Sequence, residues 1–485
     1  MKNNNIQHYH IINLNEHQFV LDTYNMVLCE FDTAHINVLE NINMNDDILS
    51  NRFNIPINEI GEIRMRINML LDKGLFISNI SMPSLPLDNT VGYISITPVH
   101  ICNLQCKYCF ADHGNNYKLN NKFMDKEKIN VSLNILYRTV FKDAKKIRID
   151  FVGGGEPFLN INIIAHIIDE TSRLDKKYKK ETFMWICSNG TLMSDKILKI
   201  IDNPKVNLGI SIDGNREQHN AIRKYMDGTD TYDTIINNID YIRNNSVNRN
   251  LKSIWGLVVI TAQTKSLVNI LIHHKNIGFS SIQMKLVRLG KDHPLSINKN
   301  NISHIKNLYD ELAEYLIKEI KLGDIQSLKM ILNNNDYLGK IIKRLLMGAR
   351  IEHRCFAGKN KVSLTANGDV FPCDSFVGID EFKLFNIDEV SDNYPNNIFR
   401  KMSVHNRSQS CNRCWAKYIC GGDCPHNSYV VNKNIFEPDS CFCEIQYHLI
   451  MLSLKILLAI YQNKYIEVEL KKFILLREKI GLFNV

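Results

Sequence analysis

The fold of this chain is decided at residues 93–110, where the sequence YISITPVHICNLQCKYCF joins an apolar segment to three closely spaced cysteines. Residues 93–97 have the length and composition of a buried strand. Helical stretches separate five further strand-like segments, which are Lys146 to Val152, Phe183 to Cys187, Val206 to Ile212, Ser253 to Ile260 and Ser281 to Val287. Strands that alternate with helices form parallel sheets, whose functional groups lie at the C-terminal strand ends. We therefore predict an α/β protein with six β/α units in an open or closed barrel over residues 90–300.

The composition excludes several classes of protein. The chain has 485 residues, of which 45% are hydrophobic and 23% charged, as is typical of globular proteins. We expect no signal peptide and no membrane span, because the N-terminus lacks an apolar segment and the apolar stretch 445–461 is interrupted by His448 and Lys455. The thirteen cysteines of such a cytoplasmic protein indicate metal or catalytic sites rather than disulfides. The net charge of +8 includes no dense Lys/Arg run, so nucleic acid is not an expected partner.

Residues 1–85 are predicted to form a separate winged-helix-like module. Three short segments alternate as strands do, and they are Ile11 to Leu14, Phe19 to Leu21 and Val27 to Phe31. Thr33 is predicted to cap a first helix, and a second helical pattern runs from Ile57 to Leu71. Residues 75–77 predict a wing strand, and residues 82–86 a linker. Five Lys or Arg and ten Asp or Glu in residues 1–80 make the module acidic.

Three cysteines follow the first barrel strand with the spacing C-x3-C-x2-C, and they are Cys102, Cys106 and Cys109. A structural zinc site needs four ligands, and no fourth cysteine or histidine follows at a zinc-like spacing. A zinc site completed by His100 or His113 stays open as the alternative. Three thiolates fit a 4Fe-4S cluster whose fourth iron is unligated and can bind a second molecule.

This motif resembles the signature of the radical S-adenosylmethionine (SAM) superfamily, C-x3-C-x-aromatic-C. The resemblance implies a partial, TIM-like (β/α)6 barrel in which the open iron binds SAM, and the reduced cluster splits SAM to give a 5′-deoxyadenosyl radical. It implies that Tyr108 lies beside the adenine, that Glu156 accepts from the SAM ammonium and that Arg223 binds its carboxylate. The complete set of SAM contacts implied in this way is Tyr108, Gly154, Gly155, Glu156, Ser188, Asn189, Ser211, Asp213 and Arg223. Taken alone, each of these short motifs is also typical of an ordinary turn.

A second cysteine-rich region occupies residues 351–485, after a predicted helical connector at 301–350. It resembles the SPASM extension of radical SAM enzymes, which carries two auxiliary 4Fe-4S clusters. The resemblance implies a distal cluster on Cys411, Cys414, Cys420 and Cys443, with Cys441 as the alternative to Cys443. It implies a nearer cluster on Cys355, Cys373 and Cys424. A zinc ribbon is the alternative, because C-x2-C pairs also suit zinc.

The nearer set contains three cysteines, since residues 356–366 hold none. One iron would then be open to a substrate thiolate, unless His353 or a water closes it. Asp374 resembles the aspartate that takes the substrate proton in sulfatase-maturating relatives, and the alternative is a surface turn residue. Cys29 and Cys187 are expected to be small buried residues. The last forty residues predict a docked helical tail.

The N-terminal module resembles the RiPP recognition element, a domain of maturases that act on ribosomally made peptides. Such a domain adds an extended leader peptide to a sheet edge, here at Val27 to Phe31. The three parts together resemble sactipeptide- and ranthipeptide-type maturases, which build thioether crosslinks in Cys-rich precursor peptides and use an electron donor such as flavodoxin or ferredoxin. Carbon–carbon crosslinking and sulfatase-type formylglycine formation are alternatives within the superfamily. A non-catalytic iron–sulfur or zinc protein that binds peptides is the alternative from another class.

Overall fold

The N-terminal part of the chain is a three-stranded antiparallel sheet with three helices. The structure, a computed structural model, describes residues 9–14, 17–76, 90–112, 122–247, 254–389 and 397–479. The first elements are β1 (Tyr9–Leu14), β2 (His17–Asp22), β3 (Val27–Glu30), α1 (Thr33–Glu40), α2 (Asp46–Phe53) and α3 (Ile57–Asp72). Strand β2 is central, so β3 is an edge strand. The helices pack on one sheet face around a core that includes Val20, Val38, Leu49, Ile60 and Ile67, with half-buried Cys29 against it.

Two local predictions for this part are wrong. Asp32 rather than Thr33 caps α1, because its carboxylate accepts from the backbone N–H of His35 at 2.8 Å. The predicted wing strand is absent from residues 75 and 76, and residue 77 lies outside the described residues, as does the predicted linker. The physical reason lies at Phe76, whose φ of +59° is not that of a strand and whose N–H donates to Asp22 at 2.8 Å.

Six parallel strands follow in sequence order and confirm the predicted α/β fold. They are β4 (Val91–Ile96), β5 (Lys146–Phe151), β6 (Glu181–Ser188), β7 (Val206–Ser211), β8 (Trp255–Ile260) and β9 (Ser281–Leu286). The helices between them are α4 (Lys126–Arg138), α5 (Ile161–Tyr178), α6 (Asp195–Ile201), α7 (Arg216–Ile222), α8 (Tyr232–Asn245) and α9 (Leu267–Ile277). Each strand pairs with the next, so β4 and β9 are the first and last strands of this parallel run. The functional motifs follow the C-terminal ends of β4 to β7.

The cysteine-rich region extends the same sheet, which the sequence analysis did not predict. Strand β10 (Lys361–Leu364) pairs with β4 in parallel, and β11 (Asp369–Phe371) and β12 (Phe385–Asn386) continue it in antiparallel order. Asn360 strengthens the junction: its carbonyl accepts from the Tyr93 N–H and its side-chain amide donates to the Val91 carbonyl, both at 2.8 Å. The second cysteine region is therefore fixed beside the strand that leads to the first.

Helices form the remainder of the described chain. Their bounds are α10 (Ile302–Lys321), α11 (Gln326–Ile331), α12 (Gly339–Leu346), α13 (Gln409–Asn412), α14 (Lys417–Cys420), α15 (Pro425–Asn432), α16 (Ser440–Tyr461) and α17 (Lys464–Lys479). Among the described residues, α16 alone is long and apolar enough to cross a membrane, and it is largely buried against α10 and α12, as a core helix is. Ion pairs of Glu469 with Lys329 (2.5 Å) and of Glu478 with Lys343 (3.0 Å) hold α17 to the connector.

Two glycine-to-alanine substitutions are expected to have opposite effects on stability. A Cβ on Gly92 in β4 would lie 2.3 Å from the ring of Phe141, which is fully buried, so Gly92→Ala should lower the free energy of unfolding by about 1–3 kcal/mol. A Cβ on Gly61 in α3 would have no described neighbour within 4 Å, so Gly61→Ala should raise it by about 0.5–1 kcal/mol. Thermal unfolding of both variants checks this, and shifts in the same direction would contradict the packing of β4 on Phe141.

Candidate functional site

The loop after β4 carries Cys102, Cys106 and Cys109 and is bonded to the segment after α7. The N–H of Gln105 donates to the carbonyl of Lys224 at 2.9 Å, and the N–H of Cys109 donates to the carbonyl of Cys106 at 3.0 Å. Desolvation, followed by the charges of neighbouring acidic groups and of the other two thiols, raises the pKa of Cys102 to about 12. Thiols in such a place stay protonated unless a metal binds them as thiolates, so this donor set fits a metal cluster.

A glycine turn after β5 lies directly against the cysteine loop. Gly154 and Gly155 belong to this turn, and a Cβ on Gly155 would lie 2.0 Å from the carbonyl oxygen of Val99. Only glycine therefore allows the two backbones to approach so closely. The next residue, Glu156, donates its N–H to the carbonyl of Ile101 at 2.9 Å. The turn thus fixes the start of the cysteine loop.

The Glu156 carboxylate links the ends of β5 and β6. It is buried, and it accepts from the Ser188 hydroxyl and the Asn189 N–H, each at 2.8 Å. Burial raises the pKa of Glu156 to about 7 despite these hydrogen bonds. The Asn189 side-chain amide lies 3.8 Å from the Cys102 sulfur, and Ser211 lies half-buried at the end of β7. The predicted contact residues meet here, and the structure shows Glu156 bonded within the protein.

A buried ion pair follows β7. The Asp213 carboxylate accepts from the Tyr108 hydroxyl, from Arg223 Nε at 2.8 Å and from the Val259 N–H at 3.0 Å. The Arg223 guanidinium lies 5.2 Å from the centre of the Tyr108 ring, and its Nη1 lies 3.7 Å from the Cys106 sulfur. Burial opposes ionisation of Asp213, but Arg223 holds the pKa of this carboxyl below its usual value. Three of the predicted contact residues therefore bind one another, and Asp213 and Arg223 fix the position of Tyr108 within the cysteine loop.

The distal cysteine set comes together in a single recess. Its lining includes Cys411, Cys414, Cys420 and Cys443. Cys441 lines a different cavity, because two residues along a helix differ by about 200° in direction. The geometry therefore favours Cys443, which the sequence analysis also preferred to Cys441. Among the described residues, no three His, Cys, Asp or Glu side chains are arranged to hold a single metal ion, as the zinc alternatives require.

The nearer set also converges. The pKa of Cys373 is raised by desolvation, by the Asp374 carboxylate and by the Cys424 and Cys355 thiols. These groups therefore lie close together. The Asp374 carboxylate lies 3.9 Å from Lys361 Nζ on β10, and 19% of its side chain is exposed. Asp374 therefore faces the interior between the sheet and the cysteines, which disfavours the surface-turn interpretation.

Sequence reasoning missed several charged groups that line the interior near Asp374. Arg148 Nε donates to Asp150 Oδ1 at 2.6 Å on β5, and Lys285 lies on β9. Cys187 on β6 is half-buried among them, and desolvation together with Asp150 raises its pKa to about 12. The signal was present in the sequence, because charged residues at alternate positions of otherwise apolar strands indicate a polar interior.

Comparison with known proteins agrees with this arrangement. The radical SAM superfamily matches residues 96–269, and the SPASM iron-sulfur cluster-binding domain matches residues 355–415. A cysteine-type anaerobic sulfatase-maturating enzyme of Clostridium novyi is 24% identical over 356 residues, which cover 71% of this chain and 90% of the relative. A serine-type anaerobic sulfatase-maturating enzyme of Bacteroides thetaiotaomicron is 22% identical over 364 residues, which cover 70% and 83%.

A solved structure supports the same fold. Native anSMEcpe with bound AdoMet and the Cp18Cys peptide matches with a TM-score of 0.60 and 19% identity, over 77% of this chain and 99% of that chain. At this identity the likeness establishes the shared fold alone.

Removing the charge of Asp213 is expected to be costly. Asp213→Asn leaves the buried Arg223 guanidinium without its counter-ion, so the free energy of unfolding should fall by about 3 kcal/mol. Asp230→Asn is the matched control, because Asp230 pairs with Lys224 at 3.0 Å with 58% of its side chain exposed, and it should cost less than about 1 kcal/mol. Denaturant unfolding of both variants checks this, and equal losses would contradict a buried, structural ion pair.

Proposed function

Because this chain contains a radical SAM domain followed by a SPASM domain, we propose that it is a peptide maturase that installs thioether crosslinks in a ribosomally made, Cys-rich precursor. The observation that carries the proposal is the three-cysteine nearer set beside Asp374, which leaves a position for a fourth sulfur. The two domains imply 4Fe-4S clusters and SAM, which favours a catalytic iron–sulfur protein over the zinc-binding and non-catalytic alternatives. The more general part of this proposal, that the chain is a radical SAM oxidoreductase, agrees with the names of its relatives.

The first cysteine set and the residues around it fit the implied cofactors. When bound, SAM and its cluster supply a 5′-deoxyadenosyl radical. Cys102, Cys106 and Cys109 would hold the cluster, and the Gly155 turn and the Glu156 hydrogen bonds fix their loop. The Asp213–Arg223 pair holds Tyr108 in place. Preorganised groups of this kind orient a reactive cofactor without moving during the reaction.

Asp374 is the proposed proton acceptor. Closing a thioether removes a hydrogen atom from carbon, a proton from sulfur and one further electron. The 5′-deoxyadenosyl radical would take the hydrogen atom and the nearer cluster, when bound, would take the electron, so the cysteine thiol of the substrate must still lose its proton to a base. The Asp374 carboxylate lies beside Cys373, inside the protein, with the opposite charge of Lys361 3.9 Å away. A base must be within reach of the proton that it removes, and a thiol at the open position of the nearer set would be near Asp374. His353 Nδ1 is occupied, since it lies 2.8 Å from Lys359 Nζ and 3.0 Å from the Met402 carbonyl.

The N-terminal sheet provides the proposed site for the leader peptide. The N–H of Phe31 donates to the carbonyl of Gln18 on β2 at 2.9 Å. Because hydrogen bonds alternate along antiparallel strands, the main-chain groups of Leu28 and Glu30 point away from β2, toward the open edge of β3. An extended peptide added to this edge would bond to those groups. The acidic character of the module makes DNA an unsuitable partner.

Formylglycine formation is the second candidate, and the names of the relatives favour it, since they are cysteine-type and serine-type sulfatase-maturating enzymes. The fate of the substrate cysteine separates the candidates. A thioether keeps the sulfur and removes the thiol, a carbon–carbon crosslink keeps the thiol, and formylglycine formation from cysteine removes the sulfur.

Coexpression with a short, Cys-rich precursor peptide, to be sought among the reading frames beside the gene, is expected to give a product that has lost two hydrogens per crosslink. Its crosslinked cysteines should resist alkylation after reduction, which mass spectrometry measures. The control is the triple variant Cys102→Ala/Cys106→Ala/Cys109→Ala, which should produce no 5′-deoxyadenosine and lose iron equal to about one 4Fe-4S cluster. A product without sulfur would contradict thioether formation, and SAM cleavage by the triple variant would contradict the assignment of the cysteine loop.

Glu30→Pro should weaken binding of the leader peptide about tenfold relative to Glu30→Ala. Both variants lose the Glu30 side chain, which lies 2.5 Å from His17, but only proline also removes a main-chain N–H at the open edge. Proline is tolerated on an edge strand where its missing N–H faces away from the sheet. Fluorescence anisotropy with the labelled leader measures the affinities, and SAM cleavage without peptide should be equal in both variants. Equal affinities would exclude pairing of the leader at Glu30.

A further inference from the structure

A cavity lies where the chain leaves the last parallel strand, β9. Its walls come from the end of β9 and the following turn, from the connector, and from α15 and α16, and its empty space measures about 420 Å³ including the open mouth. Its apolar lining includes Leu286, Leu289, Ile297, Val431 and Phe442, and Arg288 is its basic residue. Cys441, the alternative that the geometry disfavours as a distal ligand, also lines it, and the preferred cluster ligands do not. The cavity is therefore separate from the sites described above.

Most of the lining residues are apolar, and three of the smaller polar residues already have partners within the protein. Asn427 donates to Asp423 at 2.9 Å, and Ser296 donates to the carbonyl of Leu289 at 3.4 Å. The Asp439 carboxylate caps α16 by accepting from the N–H of Cys441 at 3.1 Å. These groups need no ligand to satisfy them.

Arg288 differs from them, because no hydrogen bond or ion pair joins its guanidinium to any described residue. Other buried or half-buried arginines have partners: Arg148 pairs with Asp150, Arg223 pairs with Asp213, and Arg407 donates to the carbonyls of Asp423 and Ile435. Five N–H donors in a half-buried place are costly when they are unsatisfied, and they suit a carbonyl or carboxylate oxygen. An apolar cavity with one unsatisfied donor group is the usual form of a site for an apolar ligand that carries a polar anchor.

The cavity lies near the nearer cysteine set, because Asn427 in its lining is three residues after Cys424, at the start of α15. The charges of Cys424, Tyr337, Asp374 and Cys373 raise the pKa of Arg288 against the effect of burial, which agrees with this proximity. A substrate residue that reacts beside Asp374 would therefore have its neighbour in the chain at the cavity.

We propose that this cavity binds an apolar side chain of the substrate peptide, next to the reacting cysteine, while Arg288 donates to a main-chain carbonyl of the same segment. The proposal rests on the proposed function and adds the chemistry of the substrate: a residue of the size of leucine or phenylalanine beside the cysteine. Burying such a side chain contributes enough free energy to favour it more than tenfold over a small polar residue.

The test uses two acetylated, amidated pentapeptides, Gly-Leu-Cys-Leu-Gly and Gly-Ser-Cys-Ser-Gly, and the iron-loaded full chain with SAM. Isothermal titration should show that the wild-type protein binds the leucine peptide at least about tenfold more tightly than the serine peptide. Val431→Phe fills the cavity from α15 and should abolish this preference, whereas Val430→Phe, one residue earlier and outside the lining, should keep it. Equal affinities of the wild-type protein for both peptides, or a preference that survives Val431→Phe, would overturn the proposal.

Arg288→Met tests the polar anchor. It should weaken binding of the leucine peptide about tenfold with unchanged iron content, because a hydrogen bond from a charged donor is lost. Loss of iron without any change in peptide affinity would show that Arg288 serves only the nearer cysteine set, and would overturn its assigned role. The maturase assignment fails separately, through absence of crosslinks in the coexpressed precursor, and that failure leaves the affinity preference measurable.

Discussion

The parallel pairing of β10 with β4 positions the proposed sites of this chain relative to one another. Its register places Lys361 beside Tyr93 and Leu364 beside Ile96, so the cysteine-rich region continues the sheet from its first parallel strand. Asp374 then lies near Lys361 on that side, and its charge also acts on Arg288, which follows β9. The nearer cysteine set is therefore close to residues that adjoin both the first and the last strand of the parallel run. A substrate bound there would face the same side of the sheet interior as the cysteine loop after β4.

The sequence predicts the parallel strands to within three residues because their signal is local: each is a short apolar segment between helices. The pairing of β10 is not local. Its four residues and the two or three of β11 and β12 are too short to form a pattern, and their partner lies about 270 residues away in the chain. The predicted wing strand failed for a similar reason, because the contact of the Phe76 N–H with Asp22 joins residues 54 positions apart.

Contacts between side chains of the site that are distant in sequence were likewise not predictable. Spacing alone identified the cysteines, and their convergence agrees with it. Spacing could not show that Arg223 pairs with Asp213, because a guanidinium ten residues after a carboxylate can bind a ligand or the carboxylate equally well. The structure shows the ion pair between these two buried groups, as a buried charge requires a partner, and the contact of Arg223 with the SAM carboxylate stays a prediction. Arg288 has no such partner within the described residues, and for this reason we propose that it binds a ligand.

Stacked aromatic rings join the N-terminal module to the distal cysteines. His10 of β1 lies on Trp415 with ring centres 4.0 Å apart and an angle of 9°, and Trp415 lies on Tyr447 at 5.6 Å and 19°. The Tyr447 hydroxyl is 3.2 Å from the Cys414 sulfur. Deleting the module would therefore also uncover the distal set, so lost activity after deletion would have two causes. A change at the open edge of β3, which lies across the sheet from β1, leaves these contacts in place and isolates peptide recognition.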